Sequence, residues 1–161
     1  MTNGRFTFLN TESGKHRTIR LKTQPVDSDW MAGETVVSLL TGPCNDQDFQ
    51  SFGLLMDGDT TDRRVILWKK HRPSPRDFRK NKWMFYSCLV LRALPLVQDA
   101  IEEMADDAED LTIPVELHLG GNHYEVLVET TCRACGRSLT TPRSIKTGIG
   151  PKCAEKEGAN G

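Results

Sequence analysis

No apolar run in this chain is long enough to span a bilayer. The longest, residues 83–97, is interrupted by Ser87, Arg92 and Pro95, which excludes a membrane-spanning helix there. The opening residues Met1, Thr2, Asn3, Gly4, Arg5 and Phe6 lack the apolar core and small-residue cleavage pattern of a signal peptide. A cytoplasmic protein without a membrane partner is therefore expected. Familiar catalytic patterns are missing too. There is no GxSxG, no phosphate-binding GxxxxGK[ST] loop and no HExxH. Thr130 and Thr131 precede the first cysteine of a CxxC, so the His-x-Glu and Pro-Cys-x-x-Cys pattern of zinc deaminases is absent as well. No internal repeat or low-complexity tract is visible, and the sequence favours a non-enzymatic protein.

Net charge is also nearly lacking, at -1 over 161 residues, yet the charges are strongly segregated. Residues 63–82 carry nine bases, Arg63, Arg64, Lys69, Lys70, Arg72, Arg76, Arg79, Lys80 and Lys82, against the single acid Asp77. Residues 99–110 hold seven acids and no base, and residues 133–156 hold six bases against Glu155. A chain of this length can bury one adequate core without relying on disulfides.

Alternation of apolar and polar residues predicts five strands, at 5–10, 16–23, 35–40, 49–56 and 65–69, forming a small antiparallel barrel or curled sheet. In the second of these, His16, Thr18, Arg20 and Lys22 share one face, which reads as basic, and Arg17, Ile19 and Leu21 the other. Pro73 and Pro75 predict a basic connector at 73–82. Val97, Ala100, Ile101, Met104 and Ala108 recur at helical spacing, with Pro95 in a first turn or at a kink. A hairpin over 115–128, turning at Gly121-Asn122, would pair Leu119 with Tyr124, Leu117 with Val126 and Val115 with Val128, leaving His118 opposite Glu125. The predicted class is α+β: a β-rich unit at 1–72, the connector, a helix plus hairpin at 83–131, a cysteine-bearing module at 132–156 and a tail at 157–161.

Five cysteines is an odd number, and three fall within residues 132–153. Cys132 and Cys135 form a CxxC, the spacing at which a tight turn lets two thiolates reach one metal ion. Cys153 follows Gly148 and Gly150, glycines that let the chain turn back. The expected cofactor is Zn2+, held by Cys132, Cys135 and Cys153. A redox CxxC gives Cys153 no role. The fourth ligand is open: Glu109, Asp110, Cys88 or water remain, and His123 is placed too far away by the hairpin. Otherwise Cys44 and Cys88 read as buried thiols.

The run from Cys132 through Gly136, Arg137, Leu139, Thr140, Pro142, Ser144, Gly148, Gly150 and Pro151 to Cys153 resembles a short three-cysteine, zinc-finger-like domain of unknown function. That domain is frequent in proteins of actinobacteria and their phages. Where many members carry an acidic residue before the proline, this chain has Thr141. The resemblance implies a bacterial or phage origin and a zinc site, and no activity. More loosely, residues 14–18 and 40–43 resemble stretches of small phage proteins with the same tail.

Two functions follow from the charge pattern. Nucleic-acid binding, to DNA or RNA, would use the nine bases of residues 63–82 with Trp68, Phe78 and Trp83 among them, the strand face with Arg20 and Lys22, and Arg133, Arg137, Arg143, Lys146 and Lys152 of the tail. Against this, charge runs are commonly solvated faces, and both tryptophans would serve a core. The alternative is a protein-interaction module acting on a host or phage complex, with the acidic block and the zinc tail as its surfaces.

Overall fold

The structure is a computed structural model that describes residues 4–43, 47–56, 63–77, 80–104, 115–128, 130–131, 138–139 and 153–155. Seven strands form one antiparallel sheet: β1 (Gly4–Asn10), β2 (His16–Thr23), β3 (Thr35–Leu40), β4 (Phe49–Met56), β5 (Arg64–Leu67), β6 (Val115–Leu119) and β7 (Asn122–Val128). Their order is β5-β4-β3-β2-β1-β7-β6, so the late hairpin joins the sheet of the first five strands through β1. The helix α1 (Lys82–Met104) contacts both edge strands, β5 and β6. The result is a curled half-barrel whose open side is filled by a helix, an α+β arrangement.

Alternation dictates the core face. Phe6 and Phe8 of β1, Ile19 and Leu21 of β2, and Val37 and Leu39 of β3 are all buried. They meet Leu89, Val90, Ala93, Leu94 and Val97 of α1 in one cluster. Two features of β4 bend the sheet around the helix. The register with β3 slips between Val37 and Ser38, which face Gly53 and Ser51 and leave Phe52 as the extra residue of a bulge. Phe52 is fully buried against Trp83, with ring centroids 5.1 Å apart. At Gly53 a Cβ would stand 2.6 Å from the backbone oxygen of Ile66, so only glycine admits this close approach of β5.

Several expectations are corrected. The helix begins at Lys82 and runs unbroken past Pro95, which is exposed and lies within it. Its start is set by Asn81, whose Oδ1 accepts the amides of Trp83 and Met84 at 2.9 and 3.0 Å. Trp83, Ser87, Val90, Leu94 and Val97 form the buried stripe, and Cys88 falls outside it. Cys88 is accordingly exposed, not a buried thiol, while Cys44 lies outside the described residues. The fifth strand ends at Leu67, and Lys69–His71 form a 3-10 turn.

The late hairpin turns at Gly120-Gly121, pairing Leu119 with Asn122, Leu117 with Tyr124 and Val115 with Val126. This is two residues from the predicted register. Both turn glycines have positive φ, 61° and 79°, which two adjacent glycines tolerate better than Gly-Asn. A slip of two preserves facing, so the apolar side stays inward, but His118 now faces His123 and Glu116 faces Glu125.

The supposed basic face of β2 is mostly packed. Thr18 is buried and bonds Thr7 at 2.9 Å, and the Arg20 guanidinium lies over the Phe49 ring at 4.3 Å. Hydroxyl pairs and cation–π contacts satisfy the polar groups of this second face, which also buries Val36 and Leu127. Lys22 alone of the two bases is exposed.

Candidate basic groove

At the N-terminal end of α1 the half-barrel is open. Residues from the β1–β2 turn, from β7 and from the first two turns of α1 surround a cavity of about 390 Å³. Its floor is Phe8 and Leu89, both buried, and its sides include Phe85, Tyr86 and Tyr124. Its rim carries Lys15, His16, Arg17, Lys80 and Lys82. A second cavity of about 540 Å³ continues past His16, Arg17, Lys82 and Tyr86, which line both, toward Leu40, Thr41 and Gly42. Among the described residues, none that lines either cavity is acidic.

The local folding explains this concentration. Asn10 Oδ1 accepts the amides of Glu12 and Ser13 at 3.0 and 3.2 Å, and Gly14 takes a positive φ of 73°. This tight turn places Lys15, His16 and Arg17 at the mouth of the barrel. The Arg17 side chain is steadied by donating to the His16 carbonyl at 2.8 Å. Across the opening, the Lys82 ammonium stands over the Trp83 ring at 4.8 Å. The positive end of the α1 dipole lies at that end of the groove. Burial holds the Tyr124 phenol above its ordinary pKa, so it stays neutral.

Behind this rim, His71 packs on Trp83 with ring centroids 4.4 Å apart, and Asn81 Nδ2 donates to its carbonyl at 3.3 Å. Burial first, then the charges of Lys70 and Lys82, pull its imidazole below the usual value of 6.5. Its Nε2 is buried with no hydrogen-bond partner among the described residues.

The nine bases of residues 63–82 do not act as one strip. Arg63 donates to Gln98 of α1 at 3.3 Å and Arg72 to the Leu67 carbonyl at 3.2 Å, so both brace the fold. Arg64, Lys69, Lys70 and Arg76 are exposed away from the groove lining, Lys80 and Lys82 are on it, and Arg79 lies outside the described residues. Trp83 is core, whereas Trp68 is half-buried and meets the exposed Trp30 edge-on at 6.4 Å. Sequence reasoning did not single out Lys15, His16 and Arg17 as site residues. Their signal was a run of basic residues where the predicted turn, ending at Lys15, meets the predicted strand that opens with His16 and Arg17.

Of the proposed zinc ligands, Cys153 is described and half-buried, and Cys132 and Cys135 lie outside the described residues, as do Arg133, Arg137, Arg143, Lys146, Lys152, Glu109 and Asp110. The flanking residues form a second small sheet, β8 (Thr130–Thr131) with β9 (Ser138–Leu139), in which Thr131 faces Ser138. His123 is engaged elsewhere, with Nδ1 2.8 Å from the Thr11 hydroxyl and Nε2 3.6 Å from Glu116. No helix among the described residues is long and apolar enough to cross a membrane.

Comparison with known proteins bears on the C-terminal segment. Neither a curated protein nor a solved structure matches the chain. Residues 125–158, about a fifth of the sequence, match a family of unknown function (DUF6011).

Proposed function

We propose that this protein binds nucleic acid through the groove at the open end of its half-barrel, as a non-enzymatic accessory protein of bacterial or phage origin. The observation that carries the reading is the rim of Lys15, His16, Arg17, Lys80 and Lys82, free of carboxylates among the described lining residues. Phosphates of DNA or RNA are the abundant cellular partners for such a concentration of Lys and Arg, and releasing their counterions drives binding.

The C-terminal segment is proposed to hold Zn2+ through Cys132, Cys135 and Cys153. The CxxC spacing supports this, and so does the β8–β9 pairing, which brings the residues flanking it side by side. Three thiolates suit zinc, and the metal would stabilise the segment without entering a reaction.

Anisotropy of a labelled oligonucleotide tests the groove. If Lys15, Arg17, Lys80 and Lys82 each neutralise one phosphate of a single strand, the slope of log K against log salt is about -2.8. Affinity then falls about 50-fold between roughly 50 and 200 mM salt. Replacing Lys15 and Lys80 by Gln should halve the slope. No binding at low salt would refute the reading.

The second reading, a protein-interaction module, is favoured by a different surface. Val26 is 89% exposed and Trp30 48%, and Ile66 of edge strand β5 is exposed as well. Binding of a protein partner that is lost on Trp30→Ala and unaffected by Lys15→Gln would favour it.

A further inference from the structure

The rim accounts for phosphate, but it does not account for the cup beneath it. Phe85 contacts Tyr86 and Tyr124, each with ring centroids 6.0 Å apart, above a floor of Phe8 and Leu89. A surface that needed only to attract a backbone would gain nothing from a recess walled by three rings. We infer that this cup receives one unpaired nucleobase while Lys15, Arg17, Lys80 and Lys82 hold the phosphates on either side, so that the ligand is single-stranded nucleic acid. The inference rests on the nucleic-acid reading given above and narrows it.

Size and chemistry both support one base. A volume of about 390 Å³ lies toward the small end of ligand pockets, which span roughly 300–1,000 Å³, and suits one base with its sugar but no base pair. The half-buried rings of Phe85 and Tyr86 stand where a base could stack, and stacking is available to any base because each has a π-face. The polar groups of the cup are largely spent. Asn10 Oδ1 accepts two turn amides, and Asn81 Oδ1 accepts two helix amides. Few groups are left to read a base edge, so recognition is by shape and stacking and tolerates sequence.

An abasic strand separates the cup from the rim. Two labelled 12-nucleotide strands of equal charge are compared at low salt, one with bases and one of deoxyribose-phosphate units alone. The base-bearing strand should bind about tenfold tighter or more. Tyr86→Leu, which keeps an apolar side chain against Phe52 and Trp83, should erase most of that difference and leave the abasic strand unchanged. Equal affinities of the two strands for the wild-type protein would overturn the cup and leave the phosphate-binding rim standing. Failure of both strands to bind would overturn the cup and the nucleic-acid reading together. Preference for a duplex of the same sequence over the single strand would also overturn the cup, since paired bases cannot enter it.

Discussion

Replacing Gly53 by alanine tests the close approach that curls the sheet. The new Cβ would lie 2.6 Å from the Ile66 carbonyl oxygen, 3.1 Å from Val65 Cγ1 and 3.3 Å from the Ile66 carbonyl carbon. The nearest atom is backbone, so no side-chain rotation relieves the clash, and β5 must move away by roughly half an ångström or more. That movement strains the ladder joining Gly53 to Leu67, Leu54 to Ile66, Leu55 to Val65 and Met56 to Arg64. Overpacking of this kind costs about 2 kcal/mol, which in a chain of this size lowers Tm by about 4–8 °C. Gly14→Ala is the comparison: nothing lies within 4 Å, and only its φ of 73° penalises alanine. Its cost should be about 1 kcal/mol. Thermal melts followed by circular dichroism measure both. A Gly53→Ala protein that melts with the wild type refutes the argument, as does rescue by Val65→Ala, which would make a side chain the obstacle.

Leu117→Asp should destabilise several-fold more than Glu116→Ala, because Leu117 is buried opposite Tyr124 and Glu116 is exposed; equal urea midpoints would refute the observed facing of β6. The lowered pKa of His71 means the unfolded chain binds its proton first as pH falls. Stability should therefore decline as pH drops below about 6.5 and level off below the folded value, and His71→Asn should flatten that decline in urea melts. Elemental analysis should find about one zinc per chain, lost in the Cys132→Ser, Cys135→Ser variant. Metal-free, fully folded wild-type protein would refute the zinc proposal.

Period-two patterning made the sheet legible, because Phe6, Phe8, Ile19 and Leu21 must share a face and the turn residues between them bound the strands closely. It misjudged Thr18 and Arg20, since hydroxyl and guanidinium groups are read as solvent-facing unless their partners Thr7 and Phe49 are known. The hairpin register depended on choosing between Gly120-Gly121 and Gly121-Asn122, which alternation alone does not separate because a slip of two keeps the same face inward. The groove was hidden for a different reason. His16 and Arg17 come from the first hairpin, Lys80 from the turn before α1, and Lys82 and Tyr86 from its start, and only closure of the half-barrel by the helix brings them together. A linear count of charge over residues 63–82 instead grouped Lys80 and Lys82 with Arg63 and Arg72, which brace the fold.

The central claim is that the open end of the half-barrel is where nucleic acid binds. Titrating the isotopically labelled protein with a single-stranded 12-nucleotide oligomer, and following backbone amide shifts by NMR, tests it directly. The largest changes should fall on Lys15, His16, Arg17, Lys82, Phe85 and Tyr86. Changes confined instead to Trp30, Trp68 and Lys69, or to Cys153 and its neighbours, would contradict the account.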